Sequence, residues 1–171
     1  MTVCTTIDSP LGELLLVGEA SPGAPGGTAL TSVSAPGQKT APTVDVAWRR
    51  DDEAFAEVRR QLTAYFAGEL TDFALEFTGE TGTAFQRRVW QALEEIPYGT
   101  TTTYGEIARK LDVSRQETRA VGAAIGANPL LVVRPCHRVI GADGSMRGFA
   151  AGIERKVELL TREGALQPTL I

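Results

Sequence analysis

The chain has 171 residues, of which 43% are hydrophobic and 22% are charged, and its formal net charge is −4. This composition is that of an ordinary globular protein, long enough to bury a core in one large or two small domains. No apolar run is long enough to span a membrane, two cysteines are too few for a disulfide framework, and the N-terminus lacks a secretory signal, so we expect a cytoplasmic protein.

The charge is distributed unevenly along the chain. Residues 1–83 carry 5 Lys and Arg against 12 Asp and Glu, a net charge of −7. Residues 84–171 carry 12 against 9, a net charge of +3. The positive half allows a surface that faces phosphate groups, although the total charge alone argues against a nucleic-acid partner.

The first residues predict a small antiparallel sheet. A hairpin is expected over residues 3–17, with its turn at residues 8–12. Residues 20–43 are rich in Pro and Gly, and within them a short strand is expected over residues 29–34. We expect mobility and no chemistry in this segment.

A helix is predicted over residues 51–67, because apolar residues recur there at helical spacing. Residues 71–78 are expected to form a short strand or an extended linker. Glycines follow, and they mark the expected boundary between an N-terminal domain, residues 1–80, and a C-terminal domain, residues 83–171.

The C-terminal half predicts a compact helical domain. One helix is expected to begin at Thr83 and to end at Pro97. Two shorter helices, residues 103–110 and residues 114–127, each begin with the pattern of a capping box and fit a helix-turn-helix. The second of them has small residues on one face: Ala120, Gly122, Ala123, Ala124, Gly126 and Ala127. Small side chains permit close approach, either to another helix or to a nucleic-acid groove.

A cysteine and a histidine follow these helices. The apolar run over residues 130–133 predicts a strand that leads to Cys136, and His137 is the only histidine in the chain. A thiolate is a nucleophile, and a neighbouring imidazole can take its proton. A buried structural cysteine beside a hydrogen-bonded histidine is the alternative, and for this pair by itself it is the commoner one.

The end of the chain predicts a loop of small residues, 146–152, and then a last helix over residues 153–163. Its inward-facing residues are expected to be Ile153, Val157 and Leu160.

Several motifs in one order resemble the O6-alkylguanine-DNA alkyltransferases, also called methylated-DNA–protein-cysteine methyltransferases. Pro-Cys-His-Arg-Val at residues 135–139 resembles their active-site signature. The resemblance is strong from Thr83 to Leu166 and weak before that, although residues 8–12 fit the family's N-terminal hairpin. Further segments that resemble the family are residues 85–93, 96–99, 104–108, 119–122, 128–129 and 152–156.

The resemblance implies a fold and a reaction. The fold is α/β: a small N-terminal antiparallel sheet with a helix, ribonuclease H-like, and a C-terminal helical domain with a winged helix-turn-helix. The reaction is DNA repair by direct reversal, in which an alkyl group passes irreversibly from O6 of guanine, and from O4 of thymine, to the protein's own cysteine after base flipping. The implied partner is double-stranded DNA bound through its minor groove by a monomer, with no cofactor and no membrane. Whether binding is cooperative stays open.

The resemblance assigns four catalytic residues. Cys136 corresponds to the acceptor and His137 to the base, which acts through a water. Glu163 corresponds to the carboxylate that orients the imidazole. Tyr104 corresponds to the phenol that hydrogen-bonds the departing guanine and turns the adjacent phosphate. Packing for Tyr104 and a solvated position for Glu163 are the structural alternatives.

The resemblance also assigns DNA contacts and a pocket. Arg119 corresponds to the finger that fills the gap left by the flipped base, and Asn128 to the hinge between the recognition helix and the active-site strand. A surface charge and a simple helix stop are the respective alternatives. Further DNA contacts are implied for Ser114, Arg115, Ala120, Gly122 and Ala123. The implied pocket residues are Pro135, Arg138, Val139, Phe149 and Ala150.

Three features depart from the family pattern. Phe149 replaces a tyrosine that is often present in the active-site loop, so one hydroxyl contact is missing. Arg134 stands where the family usually has an apolar residue, and it is expected either to reach a phosphate or to tie down the loop. One histidine and two cysteines are too few for the N-terminal zinc site of some relatives, so we expect no metal.

Three other functions are compatible with parts of this pattern. A non-catalytic lesion-binding protein would have the same fold but would lack the cysteine at position 136. A helix-turn-helix regulator would use cysteine alkylation as a signal. A cysteine hydrolase would use the same thiol, imidazole and carboxylate for many turnovers.

Overall fold

The computed structural model of the protein describes residues 1–79, 81–146 and 148–166. Three parts of the predictions lie outside these residues: Glu80 at the predicted boundary, Arg147 in the predicted loop, and residues 167–171 of the predicted second domain. The described chain divides into two compact units. Met1–Gly79 and Pro129–Val133 form the first, and the remaining described residues form the second. The five residues Pro129–Val133 therefore group with the first unit, whereas the sequence placed them in the second.

The first unit contains a four-stranded sheet in the order β3-β2-β1-β4. Strand β1 (Thr2–Ser9) and strand β2 (Gly12–Ala20) form the predicted hairpin, which is confirmed. Strand β3 (Thr28–Ser34) pairs antiparallel with β2. Strand β4 (Arg49–Arg50) pairs in parallel with β1. The sheet is therefore mixed rather than purely antiparallel, because the chain crosses over before β4.

One helix belongs to the first unit. A short 3₁₀ turn, Glu53–Phe55, leads into helix α1 (Ala56–Phe66). Of the predicted apolar face, Phe55, Val58, Leu62 and Tyr65 are buried, and Phe66 is half-buried.

The segment after this helix is an extended linker rather than a strand. Its one bridge joins Phe77 to Leu30. The buried Gln61 side chain fixes the linker, because it donates to the Ala74 carbonyl at 3.1 Å and accepts from the Ala74 amide at 2.8 Å. The buried Gln61 amide group is therefore hydrogen-bonded through both its N–H group and its oxygen, and it holds the linker without strand pairing.

The second unit is helical. Its elements, in chain order, are α2 (Ala84–Glu94), β5 (Thr102–Thr103), α3 (Tyr104–Lys110), α4 (Thr118–Gly126), β6 (Val139–Ile140) and α5 (Ile153–Arg162). Strands β5 and β6 pair in parallel. Helices α3 and α4 are the predicted helix-turn-helix pair, and α4 ends one residue earlier than predicted.

The helix starts differ from the predicted capping boxes. Thr83 forms a complete capping box with Gln86 at the start of α2. Thr103 accepts the Glu106 amide at 3.1 Å, so the predicted cap of α3 is present on the threonine side. The capping box predicted at Ser114 is wrong. Its hydroxyl bonds the Glu117 carboxylate at 3.1 Å, and a 3₁₀ turn, not α4, follows it.

The core of the second unit joins three helices to the cysteine segment. Its buried members are Val89, Trp90, Ala92, Leu93, Ile96, Ile107, Ala108, Val121, Ala124, Ile125, Cys136 and Val139. Ala124 belongs to this core, so its small size serves helix packing rather than a surface. The Trp90 indole N–H donates to the Ala124 carbonyl at 2.8 Å and ties α2 to α4.

Two predictions about the C-terminal half are wrong. Residues 130–133 are not a strand: Leu130 forms one bridge, with Val33, and a turn follows in which Val132 has a φ of 70°. A β-branched residue rarely adopts this conformation, and it ends any extended run. On α5, Leu160 is buried as predicted, whereas Ile153 and Val157 are 51% and 38% exposed rather than inward-facing.

No helix in the described ranges combines the length and the apolar character that crossing a bilayer requires.

Candidate active site

Cys136 lies on a short 3₁₀ turn, Cys136–Arg138, in the second unit. Pro135, with a φ of −79°, precedes the turn, and the Arg138 amide donates to the Pro135 carbonyl at 3.1 Å. The turn runs directly into β6, which pairs with β5. Since β5 is followed at once by Tyr104, this two-stranded pairing brings the cysteine turn close to the start of α3.

The Cys136 side chain is nearly enclosed. Cys136 is 7% exposed, whereas His137 behind it is 0% exposed. Burial raises the pKa of the Cys136 thiol, and a hydrogen bond from the Asn128 side chain and the charges of Lys156 and Arg134 oppose this effect. The resting thiol is therefore protonated and needs a base.

His137, Glu163 and Arg138 form a buried hydrogen-bonded cluster. Nε2 of His137 lies 2.7 Å from Oε2 of Glu163. Arg138 donates to the same carboxylate from Nε at 2.7 Å and from Nη2 at 3.0 Å. Glu163 accepts two bonds from a guanidinium, so it is ionised and can only accept. Nε2 of His137 must then carry the proton in this contact.

The remaining nitrogen of the imidazole is available as a base. Burial lowers the pKa of His137, and the hydrogen bond to Glu163 opposes that shift. The ring is therefore neutral near neutral pH. Its Nδ1 atom is buried and makes no hydrogen bond within the described ranges. A neutral ring with Nε2–H directed at a carboxylate presents an unprotonated Nδ1.

Lys156 is a site residue that the sequence patterns did not reveal. It is 0% exposed, and its pKa is lowered to about 8. Burial causes this shift, and the Cys136 thiolate partly opposes it. Lys156, Leu159, Leu160 and Glu163 occupy positions i, i+3, i+4 and i+7, one helical face. The apolar residues Ile153 and Val157 suggested that a different face of α5 points inward. The seven-residue spacing between Lys156 and Glu163 was the signal that could have revealed the lysine.

Arg138 does not have the position expected of a pocket residue. It is 6% exposed, donates to the Ile96 carbonyl at 2.7 Å, and lies over the Tyr98 ring at 5.6 Å. The structure thus places it behind His137, against Glu163, where it holds the carboxylate rather than a substrate.

Tyr104 lies between α4 and the loop after the cysteine. A Cβ atom added to Gly122 would lie 3.9 Å from its ring, and one added to Gly148 would lie 3.9 Å from its hydroxyl oxygen. Both Tyr104 and Phe149 are half-buried against the core cluster that contains Cys136. The predicted catalytic tyrosine and the loop therefore pack on the core cluster to which Cys136 belongs.

The other predicted pocket residues differ in how exposed they are. Pro135 and Val139 are buried, Ala150 is half-buried, and Asn128 is 4% exposed. The Asn128 amide group donates from Nδ2 to the Arg134 carbonyl at 3.0 Å. It therefore fixes the end of α4 to the residue two positions before the thiol.

The predicted DNA-contacting residues lie at the surface of the helix-turn-helix. The exposed ones are Ser114, Arg115, Arg119, Ala120 and Ala123. Gly122 is half-buried and faces Tyr104. The opposite side of α4 is buried, so this helix presents a surface of one arginine and small side chains.

Two cavities lie away from the predicted site. A cavity of about 440 Å³ lies between α2 and α3, and one of about 660 Å³ lies along α1. Neither is lined by a predicted site residue. In the described ranges, no group of three or more His, Cys, Asp and Glu side chains is placed to hold a metal ion.

A nearly buried thiol, a neutral imidazole and an ionised carboxylate, carried beside a helix-turn-helix, define a protein that uses a cysteine nucleophile next to a nucleic-acid-binding element. Comparison with protein families specifies it further. Residues 84–165 match the DNA-binding domain of 6-O-methylguanine DNA methyltransferase, and residues 2–78 match its ribonuclease-like domain.

Full-length relatives agree with the domain matches. A methylated-DNA–protein-cysteine methyltransferase of Mycobacterium leprae is 47% identical over 163 residues, 95% of this chain and 93% of that protein. The Methanosarcina acetivorans protein of the same name is 44% identical over 92% of this chain and 96% of that protein. The crystal structure of Mycobacterium tuberculosis OGT in complex with DNA has a TM-score of 0.83 and 45% identity, covering 95% of this chain and 93% of that one. The chain therefore belongs to the 6-O-methylguanine DNA methyltransferase family.

Proposed function

We propose that this protein repairs DNA by transferring an alkyl group from O6 of guanine to the sulfur of Cys136. One observation carries the proposal: the nearly buried Cys136 is followed directly by His137, whose Nε2 atom contacts a carboxylate that also binds Arg138. Nucleophile, base and orienting group then occur in the order that thiol activation requires. The relatives named for this activity cover nearly the whole chain.

In the proposed reaction, the Cys136 proton passes through a water to Nδ1 of His137. The thiolate sulfur attacks the alkyl carbon, a carbon–sulfur bond forms, and the carbon–oxygen bond to guanine breaks. The electron pair stays on O6, and guanine takes up a proton from the Tyr104 hydroxyl, which is close to the loop at Gly148. The Tyr104 phenolate then regains a proton from solvent, and the His137 imidazolium releases one to solvent. All atoms balance without a cofactor.

The product is a thioether on the protein, which has no ready leaving group. Each chain therefore reacts once. The buried Lys156 supports the thiolate stage, because an ammonium group near a sulfur anion lowers its energy in a site of low dielectric. The same chemistry would accept O4-alkylthymine, whose alkyl group is bound to a comparable oxygen.

The proposed substrate is the alkylated base within double-stranded DNA. A base in the duplex must be flipped out to reach a cysteine that is only 7% exposed. The small exposed residues of α4, Ala120 and Ala123, would let this helix approach the minor groove, and Arg119 would fill the space that the base leaves. Affinity should fall as salt rises, with little sequence preference.

The proposed acting form is a monomer in the cytoplasm. Both cysteines are free in the structure, and a reducing compartment would preserve the Cys136 thiol.

A titration distinguishes this function from its rivals. Methylated duplex is added in excess to the protein, and repaired guanine is counted per chain. We expect one repaired base per chain, none with Cys136→Ser, and one with the control Cys4→Ser, which alters the buried cysteine of β1. Repeated turnover, or hydrolysis of a simple ester by the wild type, would favour a cysteine hydrolase instead. Tight binding without repair would favour a lesion-binding protein.

A further inference from the structure

Arg134 is buried beside the reactive turn. Its side chain is 10% exposed. The guanidinium lies 5.1 Å from the centre of the Trp90 ring, and its Nη1 atom lies 3.4 Å from Oδ1 of Asn128. Its Nε atom is 3.8 Å from a carboxylate oxygen of Glu94. Of the two roles expected from the sequence, a contact with a phosphate and a tie for the loop, the contacts favour the tie.

The backbone of Arg134 joins the same neighbours. Its carbonyl accepts the Asn128 side-chain amide at 3.0 Å and the Cys136 backbone amide at 2.8 Å. Asn128 and Arg134 flank the segment Pro129–Val133, and their mutual hydrogen bonds close its two ends together. Trp90, under the guanidinium, donates to a carbonyl of α4. One residue thus connects the recognition helix to the thiol turn.

We propose that Arg134 is a positioning residue for alkyl transfer, which holds the Asn128 side chain against the Cys136 turn and sets a positive charge beside the reacting sulfur. The proposal rests on the proposed function. It concerns a position where this chain departs from the apolar residue usual in the family, so it describes a property of this protein in particular.

The charges around the sulfur come from several elements. Glu94 of α2 faces Arg134, Lys156 of α5 and Arg134 both favour the thiolate, and His137 lies directly after it. Burial raises the pKa of Glu94, while Arg134 lowers it. Burial also lowers the pKa of Arg134, which Glu94 and the Cys136 thiolate oppose. An arginine stays protonated in this setting. The site therefore has a second cation beside Lys156, at position 134, where the family pattern has an apolar residue.

Reaction with iodoacetamide tests the charge without DNA. In a Cys4→Ser background, the rate of Cys136 alkylation is measured against pH for the wild type, Arg134→Met and Arg134→Lys. We expect Arg134→Met to raise the midpoint of this pH–rate profile by about 1 pH unit. At pH values below the midpoint, the alkylation rate should then be about tenfold lower than in the wild type. Arg134→Lys should restore most of the shift. Arg109→Met, which removes an arginine that is 75% exposed on α3, is the matched control and should leave the midpoint unchanged.

The single-turnover rate on methylated duplex tests the positioning. Arg134→Gln lacks the charge but keeps an N–H donor for Asn128, so it should shift the midpoint like Arg134→Met while losing less of the duplex rate. Near-ultraviolet circular dichroism establishes whether each variant is folded. If Arg134→Met does not fold, the comparison of Arg134→Lys with Arg134→Gln tests the proposal. An unchanged midpoint in every neutral variant, or an equal shift in Arg109→Met, would overturn the proposal. If the wild type reacts with iodoacetamide but not with duplex, the proposed function fails while the charge test still stands.

Discussion

Replacing Glu163 by Gln perturbs the group on which the site's geometry depends. Its carboxylate accepts one hydrogen bond from His137 and two from Arg138, and its side chain is 0% exposed. Glutamine keeps one oxygen and replaces the other by an amide that donates. The guanidinium then loses its counter-charge in the protein interior, and the imidazole loses an obligatory acceptor.

The size of the effect follows from burial. Removing one partner of a buried ion pair costs about 3–5 kcal/mol, because the other charge stays buried without compensation. For a chain of this length, about 2–4 °C of melting temperature is lost per kcal/mol, so Tm should fall by roughly 6–20 °C. Alkyl transfer should slow by at least about a hundredfold, since His137 would no longer be held as the tautomer with a free Nδ1.

Urea unfolding and single-turnover repair measure the two effects. The matched control is Glu158→Gln on the same helix, because Glu158 pairs with Arg162 at 2.8 Å while both side chains are about 40% exposed. An exposed pair contributes about 0–1 kcal/mol, and its loss should not affect repair. If Glu163→Gln were no less stable than Glu158→Gln and equally active, the buried cluster would neither stabilise the fold nor orient His137.

Three further predictions concern other parts of the site. Arg119→Ala should reduce repair of methylated duplex by about tenfold or more and spare reaction with the free alkylated base, because only the duplex requires flipping; equal losses on both substrates would contradict the finger role. Repair should slow only below pH 6.5, the ordinary pKa of a histidine, because burial lowers the pKa of His137 and the base is lost when the ring protonates. A rate that falls between pH 8 and pH 7 and then stays level would count against His137 as the base. A rate that is unchanged far into the acid range would also count against it. Lys156→Met should slow repair at neutral pH by about tenfold, and the difference from the wild type should shrink above a pH of about 8, where the lysine is itself neutral; a constant ratio at all pH values would indicate a purely steric role.

Local patterns predicted the elements that have a clear period. The hairpin over β1 and β2 and the apolar face of α1 follow from alternation and from helical spacing, and both are present. The candidate catalytic pair, Cys136 and His137, could be recognised because one histidine directly follows a cysteine within a motif that resembles the family signature. Such features depend on neighbours in sequence, which a single chain displays.

Features that depend on distant residues were not predictable in this way. Strands β5 and β6 have two residues each and pair across more than thirty positions, so neither has a period to detect. The partner of Arg138 is a carboxylate 25 residues away, and only the fold brings the two together. On α5, the apolar Ile153 and Val157 suggested an inward face, whereas the tertiary structure buries Lys156 and Glu163 and leaves both apolar residues exposed. Tertiary contacts therefore override the hydrophobic pattern at this helix.

In the proposed reaction, one sulfur accepts the alkyl group and is consumed. The most direct test is intact-mass and peptide mass spectrometry of the protein after one equivalent of duplex containing O6-methylguanine has been added. We expect a mass gain of one methylene unit per chain, located on Cys136, together with restored guanine in the duplex. A methyl group on any other residue, or restored guanine beside an unmodified protein, would contradict it.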